Sequence, residues 1–453
     1  MTKHTGSILI FCFIGVFATA HAADEKPPKA DTTLAQSDEM WPEVDHTIAA
    51  EPKDEALDFA RTKLTGDWGG GRTDLAKKGI TFDIDILQSW QGVLSGGRDK
   101  SWKYGGSVDY WLQMDFEKMG LWEGAFVEIR AETQYGQFAN LASGSVLGVN
   151  TDGLFPLSDE HRTTLSHVVF TQFLSESMGI VFGKIDTLDG DNNEFAGSRG
   201  KENFMNPNFV FNPVILRTAP YSSMGGGVVF YFPNVMDPDP AILQFSALGA
   251  NGQPNRAGWD DDFEDGTNFS SEYSQPSRFF GLPGRHLFGG TYNDRDVTLL
   301  EQNPRTLLEF LLGLGPLEEQ EGSWSFYYNF HQYLFTEQQD PTQGFGLFGR
   351  YGIADEDTSV VHKFYSIGLG GKGIIENRDH DRFGIGYFHT SLSNKLPNFI
   401  RSQFLDDADG VEVFYNFQVK PWLHITADLQ YINPGDRRVG DTYIAGVRVK
   451  IDI

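Results

Sequence analysis

The chain has a single cysteine, Cys12, and it lies in an apolar stretch near the N-terminus. A disulfide framework is therefore excluded as a source of stability. Long apolar runs are missing as well. Past the N-terminus nothing approaches the roughly 20 residues that a membrane helix needs; the longest patch, around Phe310–Leu314, is broken by Gly313. Basic charge is scarce: 36 Lys and Arg face 62 Asp and Glu, a formal charge of −26. That balance argues against a nucleic-acid partner, which needs a basic face. There is no His/Cys zinc spacing and no Gly-x-Ser-x-Gly nucleophile block. No metal, no other cofactor and no enzymatic activity are expected.

What is present begins with a targeting segment. Lys3 and His4 precede the apolar run Ile8–Ala18, and Ala20-His21-Ala22 follows as a small-x-small cleavage site. Residues 1–22 thus read as a secretory signal peptide. Residues 23–63 carry 11 acidic and 5 basic residues, with Pro27, Pro28, Pro42 and Pro52 and no apolar period. They read as an acidic flexible tail, with a weak helix at Asp54–Lys63. A short polar helix is expected at Thr73–Lys78, closed by Gly79.

From Ile80 onward the apolar period is two. Phe82, Ile84 and Ile86 alternate with Asp83 and Asp85; Val127 and Ile129 alternate with Glu128, Arg130 and Glu132. Near the C-terminus Val411, Val413, Tyr415, Phe417 and Val419 alternate with Glu412, Asn416 and Gln418. These segments run near the ~9–11 residues of a tilted transmembrane strand. Aromatic residues gather at their ends, among them Trp90, Trp102, Tyr104, Trp122, Trp324, Trp422 and Tyr431, as interfacial girdles require. Connections alternate between tight, as at Lys420-Pro421, and long. About fifteen strand candidates are legible; 208–218 and 305–314 are ambiguous between strand and loop or helix. The fold class is all-β: a transmembrane antiparallel β-barrel over 64–453, with an N-terminal tail and a short helix. Single-chain bacterial barrels have even strand numbers, so sixteen strands are predicted, with eighteen as the alternative. Sixteen strands enclose a water-filled channel.

The block Leu64-Thr65-Gly66-Asp67-Trp68-Gly69-Gly70-Gly71-Arg72, running through Asp74-Leu75 to Lys78-Gly79-Ile80-Thr81, resembles the opening of the OprB-type carbohydrate-selective porins. Lys118–Gly124 looks like that family's first tight turn, and Gly183-Lys184-Ile185-Asp186 like its Gly-Lys-Leu/Ile-Asp stretch. Pro220 to Gly225, Ala250-Asn251-Gly252 and Gly281–Arg285 are similar to further family landmarks. One departure is the last residue, Ile453, where such barrels commonly end on an aromatic. The resemblance implies passive diffusion of simple sugars, glucose-like monosaccharides above all, across a Gram-negative outer membrane. The implied partners are those sugars in transit together with outer-membrane lipid and lipopolysaccharide. A homotrimer is an assembly open to such a barrel, but no subunit interface is legible.

A sugar pathway needs polar lumen groups that replace water around hydroxyls yet release them. Arg130, flanked on its face by Glu128 and Glu132, is the leading candidate, with Asp83 and Asp85 behind it. Phe126 and Phe414 fall on the polar face by alternation and are candidates for stacking on sugar rings. Lys184 and Asp186, with Asp189, Asp191 and Asn193, open an acidic loop that departs from calcium-loop spacing; solvation, or folding toward the lumen, is its plainer reading. His424, Asp428, Arg448 and Lys450 read as a cross-strand charge ladder. Asp260–Asp262 with Glu264 and Asp265 form a second acidic run, either solvated or meeting divalent cations and lipopolysaccharide. The alternatives to a sugar porin are a general cation-preferring diffusion pore, a barrel hydrolase of the outer membrane, and a secreted glycan-binding sandwich.

Overall fold

The computed structural model describes residues 59–154, 163–254, 256, 259 and 262–453. The signal peptide, the tail up to residue 58 and Asp260–Asp261 lie outside the described residues. Sixteen strands close into one barrel, each antiparallel to its sequence neighbours, with the last paired to the first. They are β1 (Ile80–Ser95), β2 (Trp102–Asp115), β3 (Ala125–Gly136), β4 (Thr163–Ser175), β5 (Met178–Asp186) and β6 (Ser222–Phe232). Then follow β7 (Ala241–Gly249), β8 (Thr267–Phe279), β9 (Leu282–Thr298), β10 (Glu319–Thr336) and β11 (Gly344–Ala354). The last are β12 (Val361–Lys372), β13 (Arg382–Leu392), β14 (Ala408–Lys420), β15 (Leu423–Asn433) and β16 (Thr442–Asp452). No helix among the described residues is long and apolar enough to cross a membrane.

Polarity is inverted relative to a soluble sandwich. In β14 Glu412 and Asn416 are buried, whereas Val413, Phe417 and Val419 are exposed. In β15 Thr426, Asp428 and Gln430 are buried and Leu429 is exposed. Apolar residues outward and polar residues inward are what lipid outside and water inside demand. Aromatic pairs mark both rims. Trp90–Tyr104 and Tyr431–Tyr443 sit toward the long-loop end, with ring centroids 5.2 and 5.1 Å apart. Trp122–Phe170 and Tyr415–Phe417 sit toward the short-turn end, at 5.5 and 4.4 Å. The short connections 176–177, 280–281 and 421–422 share one end with the helix Gly71–Lys77 and with Ile453; by the outer-membrane rule that end faces the periplasm.

The β5–β6 loop, 187–221, folds into the lumen and divides it. Its apolar side, Phe195, Phe204, Phe209, Val214 and Ile215, packs on Phe348, Phe388 and Phe414 of β11, β13 and β14 in one buried cluster. Each such side chain taken out of water is worth roughly 1.5–3 kcal/mol. Glycines on the wall make the room. A Cβ on Gly370 would stand 2.5 Å from Phe195, and one on Gly386 would stand 2.5 Å from Phe209. The ambiguous segment 208–218 is therefore loop, holding the short helical turns Pro207–Val210 and Pro213–Arg217. The segment 305–314 falls on the helix Pro304–Leu311 in the β9–β10 connection. The sixteenth strand is instead β8, whose polar sequence and Pro276 hide it.

Polar anchors complete the docking of the loop. Arg350 on β11 pairs with Asp191 at 2.8 Å, both side chains fully buried, and donates to the Ala196 carbonyl at 2.7 Å. Glu412 accepts from the backbone N–H of Met205 and of Asn206. Arg448 donates to the carbonyls of Gly200 and Asn203. Of the ladder expected of His424, Asp428, Arg448 and Lys450, Arg448 and Lys450 are loop anchors, the latter 2.6 Å from Glu202. Above this loop, part of the β3–β4 connection (137–162) also turns inward: Thr151 donates both its N–H and its hydroxyl to the Met205 carbonyl.

Candidate functional site

With one side of the lumen filled, the passage lies between the inner face of β1–β4 and the charged edge of the β5–β6 loop. Antiparallel pairing arranges the wall in three rows. Nearest the periplasm are Thr81, Gln113 and Glu128; next come Asp83, Trp111, Arg130 and His167; above them are Asp85, Asp109 and Glu132. Each row takes every second residue of its strands, as the pleat requires.

The loop meets this wall with ion pairs. Arg130 contacts Asp186 at 3.0 Å and Asp189 at 2.5 Å. Its guanidinium lies 3.7 Å from the Trp111 ring centroid, a cation–π contact. Arg199 bridges Glu132 at 2.7 Å and both Asp186 and Asp189 at 3.1 Å. Lys201 lies 2.7 Å from Asp85 and 2.5 Å from Asp109. Burial alone would raise the Asp189 carboxyl; Arg130 and Arg199 beside it hold it well below the usual carboxylate range. Opposed charges fixed across a narrow gap set a transverse field and keep the gap from collapsing.

Between wall and loop, on the periplasmic side, is a cavity of about 440 Å³. Trp111, Gln113, Glu128, Arg130, His167 and Asp189 are among its lining. Above it, Asp109, Glu132, Asp152, Arg199 and Lys201 surround a second, small space of about 10 Å³, the room of a single water. Asp152 takes a hydrogen bond from Ser107 at 2.5 Å.

The sequence candidates are distributed as follows. Arg130, Glu132 and Asp186 come together at the constriction, with Asp85 joined through Lys201. Glu128 accepts from Gln113 at 2.9 Å on the cavity wall. Asp83 lies at the periplasmic mouth, 2.6 Å from Lys63. Three candidates lie away from the cavity. Lys184 does not line the cavity; it donates to the carbonyls of Pro254 and Arg256 in the β7–β8 connection, because that loop folds over the strand end. Phe126 stands edge-on to Phe173 at 5.8 Å near the periplasmic turns, away from the cavity. Phe414 is likewise no sugar platform, since it packs against Phe204 at 4.7 Å. Asp189 and Asp191 are engaged by arginines, and no metal-holding group of three His, Cys, Asp or Glu residues occurs among the described residues. Asp109 and Trp111 had a signal, the alternation of β2, that charge clusters elsewhere obscured. Arg199 and Lys201 had none, because no local pattern says where a long connection that turns inward brings its side chains.

The family model of the carbohydrate-selective porins of the OprB family matches residues 99–453. The chain belongs to the OprB family. Porin B of Pseudomonas aeruginosa is 20% identical over 426 residues, covering 85% of this chain and 90% of that protein. The high-pH structure of Pseudomonas putida OprB superposes with a TM-score of 0.74 at 21% identity, covering 88% of this chain and all of that one. A Salmonella typhi OmpF structure with daunomycin shares the barrel more distantly, with a TM-score of 0.51 at 9% identity, covering 83% and 99%. Membership in the OprB family and the lipid-facing barrel place the protein in the Gram-negative outer membrane as a carbohydrate porin. Its relatives are channels rather than enzymes.

Proposed function

We propose that the pore admits glucose-like monosaccharides to the periplasm by passive, concentration-driven diffusion. The observation that carries this reading is the constriction. A belt of carboxylates, guanidinium groups and an indole surrounds a cavity whose volume, about 440 Å³, falls within the ~300–1,000 Å³ of small-molecule sites. Hydroxyls can exchange water for these groups one at a time, while fixed ion pairs keep the opening narrow. Arg130, Glu128, Glu132, Asp85 and Asp186 serve this pathway, and Asp83 guards its periplasmic exit. Proteoliposomes loaded with the pure porin should take up labelled glucose much faster than a labelled disaccharide. Equal rates for the two would overturn the monosaccharide reading.

A general cation-preferring pore is the second reading. Carboxylates outnumber cations around the cavity, which favours it. It differs in expecting uptake that depends smoothly on solute size.

A further inference from the structure

Glu412 and Asp428 are diagonal neighbours on the inner faces of β14 and β15: Glu412 stands opposite Gln430, and Asp428 opposite Phe414. Both side chains are buried, and they meet in hydrogen-bonding contact. Both oxygens of Glu412 are occupied by the loop, through the N–H groups of Met205 and Asn206. Asp428 Oδ1 accepts from Gln430 Nε2 at 2.9 Å, whereas Oδ2 has no donor among the described residues. The amide beside it, Gln91 of β1, gives its Nε2–H to the Val149 carbonyl at 3.3 Å.

This pair sits where both inward loops are fastened. Gln430 donates to the Val149 carbonyl of the β3–β4 connection at 3.0 Å, and Asn206 of the β5–β6 loop donates to Gln430 Oε1 at 3.1 Å. Arg448 of β16 is the cation that faces the pair, and its Nη groups are given to the Gly200 and Asn203 carbonyls. Asp152 and Glu202 of the two loops face Arg448 as well, and Lys450 holds Glu202 at 2.6 Å. One guanidinium matches one carboxylate charge. Two carboxylates in contact away from water do not both stay ionised beside a single cation. The second is neutral when it carries a proton, and Asp428 Oδ2 is the oxygen left for it.

From this arrangement we infer that Asp428 is a positioning residue for the passage, acting as a carboxylic acid that donates to Glu412 and so holds both inward loops against the wall. Asp428 lies outside the cavity lining and works through Glu412, Gln430 and the loop backbone. The proton belongs to the pair and leaves it as a unit. While it is present, Glu412 keeps its charge for the two backbone donors and Asp428 adds none. Once it leaves, a second negative charge enters the junction and pushes against Glu412. Docking of the loops is therefore complete at the lower pH and weakens as pH rises past the point where the pair gives up its proton.

Single-channel currents of the full mature porin in planar bilayers, recorded from neutral pH to about pH 10, test the role, since buried carboxyl groups give up protons within that span. Openings of the parent should be quiet at neutral pH, and their current noise should rise severalfold toward the alkaline end. Asp428→Asn should abolish that rise: its Nδ2–H donates to Glu412, its Oδ1 accepts from Gln430, and it has no proton to lose. Asp152→Asn should leave the rise in place. Infrared difference spectra between the two ends of the range should show a protonated-carboxyl band that disappears at high pH in the parent and is missing from Asp428→Asn. A rise that survives Asp428→Asn, or that Asp152→Asn removes, would overturn the role. If Asp428→Asn does not assemble, the parent decides alone: unchanged noise across the range, or no carboxyl band, would overturn it.

Discussion

Arg72 donates from Nη2 to the backbone carbonyl of Ile453 at 2.6 Å, tying the helix that leads into the first strand to the end of the last one. Its Nη1 donates to the Phe82 carbonyl at 3.1 Å, and its guanidinium lies 4.2 Å from the Trp68 ring centroid. The seam between β1 and β16 is thereby clamped at its periplasmic end. The Leu64 N–H, bonded to the Asp452 carbonyl at 2.8 Å, extends the clamp. Arg72→Ala removes a hydrogen bond from a charged donor, worth about 1.5–3 kcal/mol. The variant should lose its folded, fast-migrating gel band at a lower temperature than the parent. Arg72→Lys should restore little, since one ammonium cannot span both carbonyls in the plane of the fork.

Glu412 holds the β5–β6 loop by accepting from two consecutive backbone N–H groups, at 2.5 Å from Met205 and 2.9 Å from Asn206. Glu412→Ala leaves both donors buried and unpaired, at a cost of about 1–3 kcal/mol each. Single-channel recordings should show larger and noisier openings than the parent. Glu412→Gln keeps one acceptor oxygen and should fall between the two.

Arg350 and Asp191 form a fully buried pair between β11 and the same loop. Breaking such a pair from one side costs about 3–5 kcal/mol because the other charge is stranded. Arg350→Ala should therefore lower thermal stability more than Arg72→Ala does, as followed by loss of β-sheet circular dichroism on heating in detergent.

Asp152 roofs the constriction outside the strands. Burial pushes its carboxyl up to about 6, against the opposing hydrogen bond from Ser107, with Lys201, Asp85 and Glu132 nearby. Below that pH the roof is neutral; above it one more negative charge faces the passage. The ratio of cation to anion permeability, taken from reversal potentials, should rise as pH increases through about 6. Asp152→Asn should remove that step while leaving the remaining pH response in place.

Much of the barrel was legible because lipid on one face and water on the other impose a period of two, seen plainly from Val411 to Ile451. Thr267–Phe279 escaped because its outward apolar positions reduce to Phe269, Tyr273 and the terminal Phe279 among serines, with Pro276 near the end of the strand. The rule that the lumen is polar also failed locally. Phe414 points inward by alternation, yet it faces a loop rather than water. The apolar run Phe209–Leu216 looked strand-like for the same reason: it is buried all round, and period alone cannot separate a buried strand from a buried loop. Arg130 and Glu132 were legible as charges on one face, and Asp186 as the opening of an acidic loop. Their partner Arg199 was not, since the contact depends on where a 35-residue connection (187–221) turns.

The most direct test of a monosaccharide filter is the size dependence of permeation. Liposomes carrying the porin are shifted into isosmotic pentose, hexose, disaccharide and trisaccharide, and swelling rates are compared. A constriction held by the Arg130, Arg199 and Lys201 ion pairs should give a steep fall between hexose and disaccharide. A shallow, continuous decline with solute mass, with disaccharide swelling close to that of glucose, would contradict it.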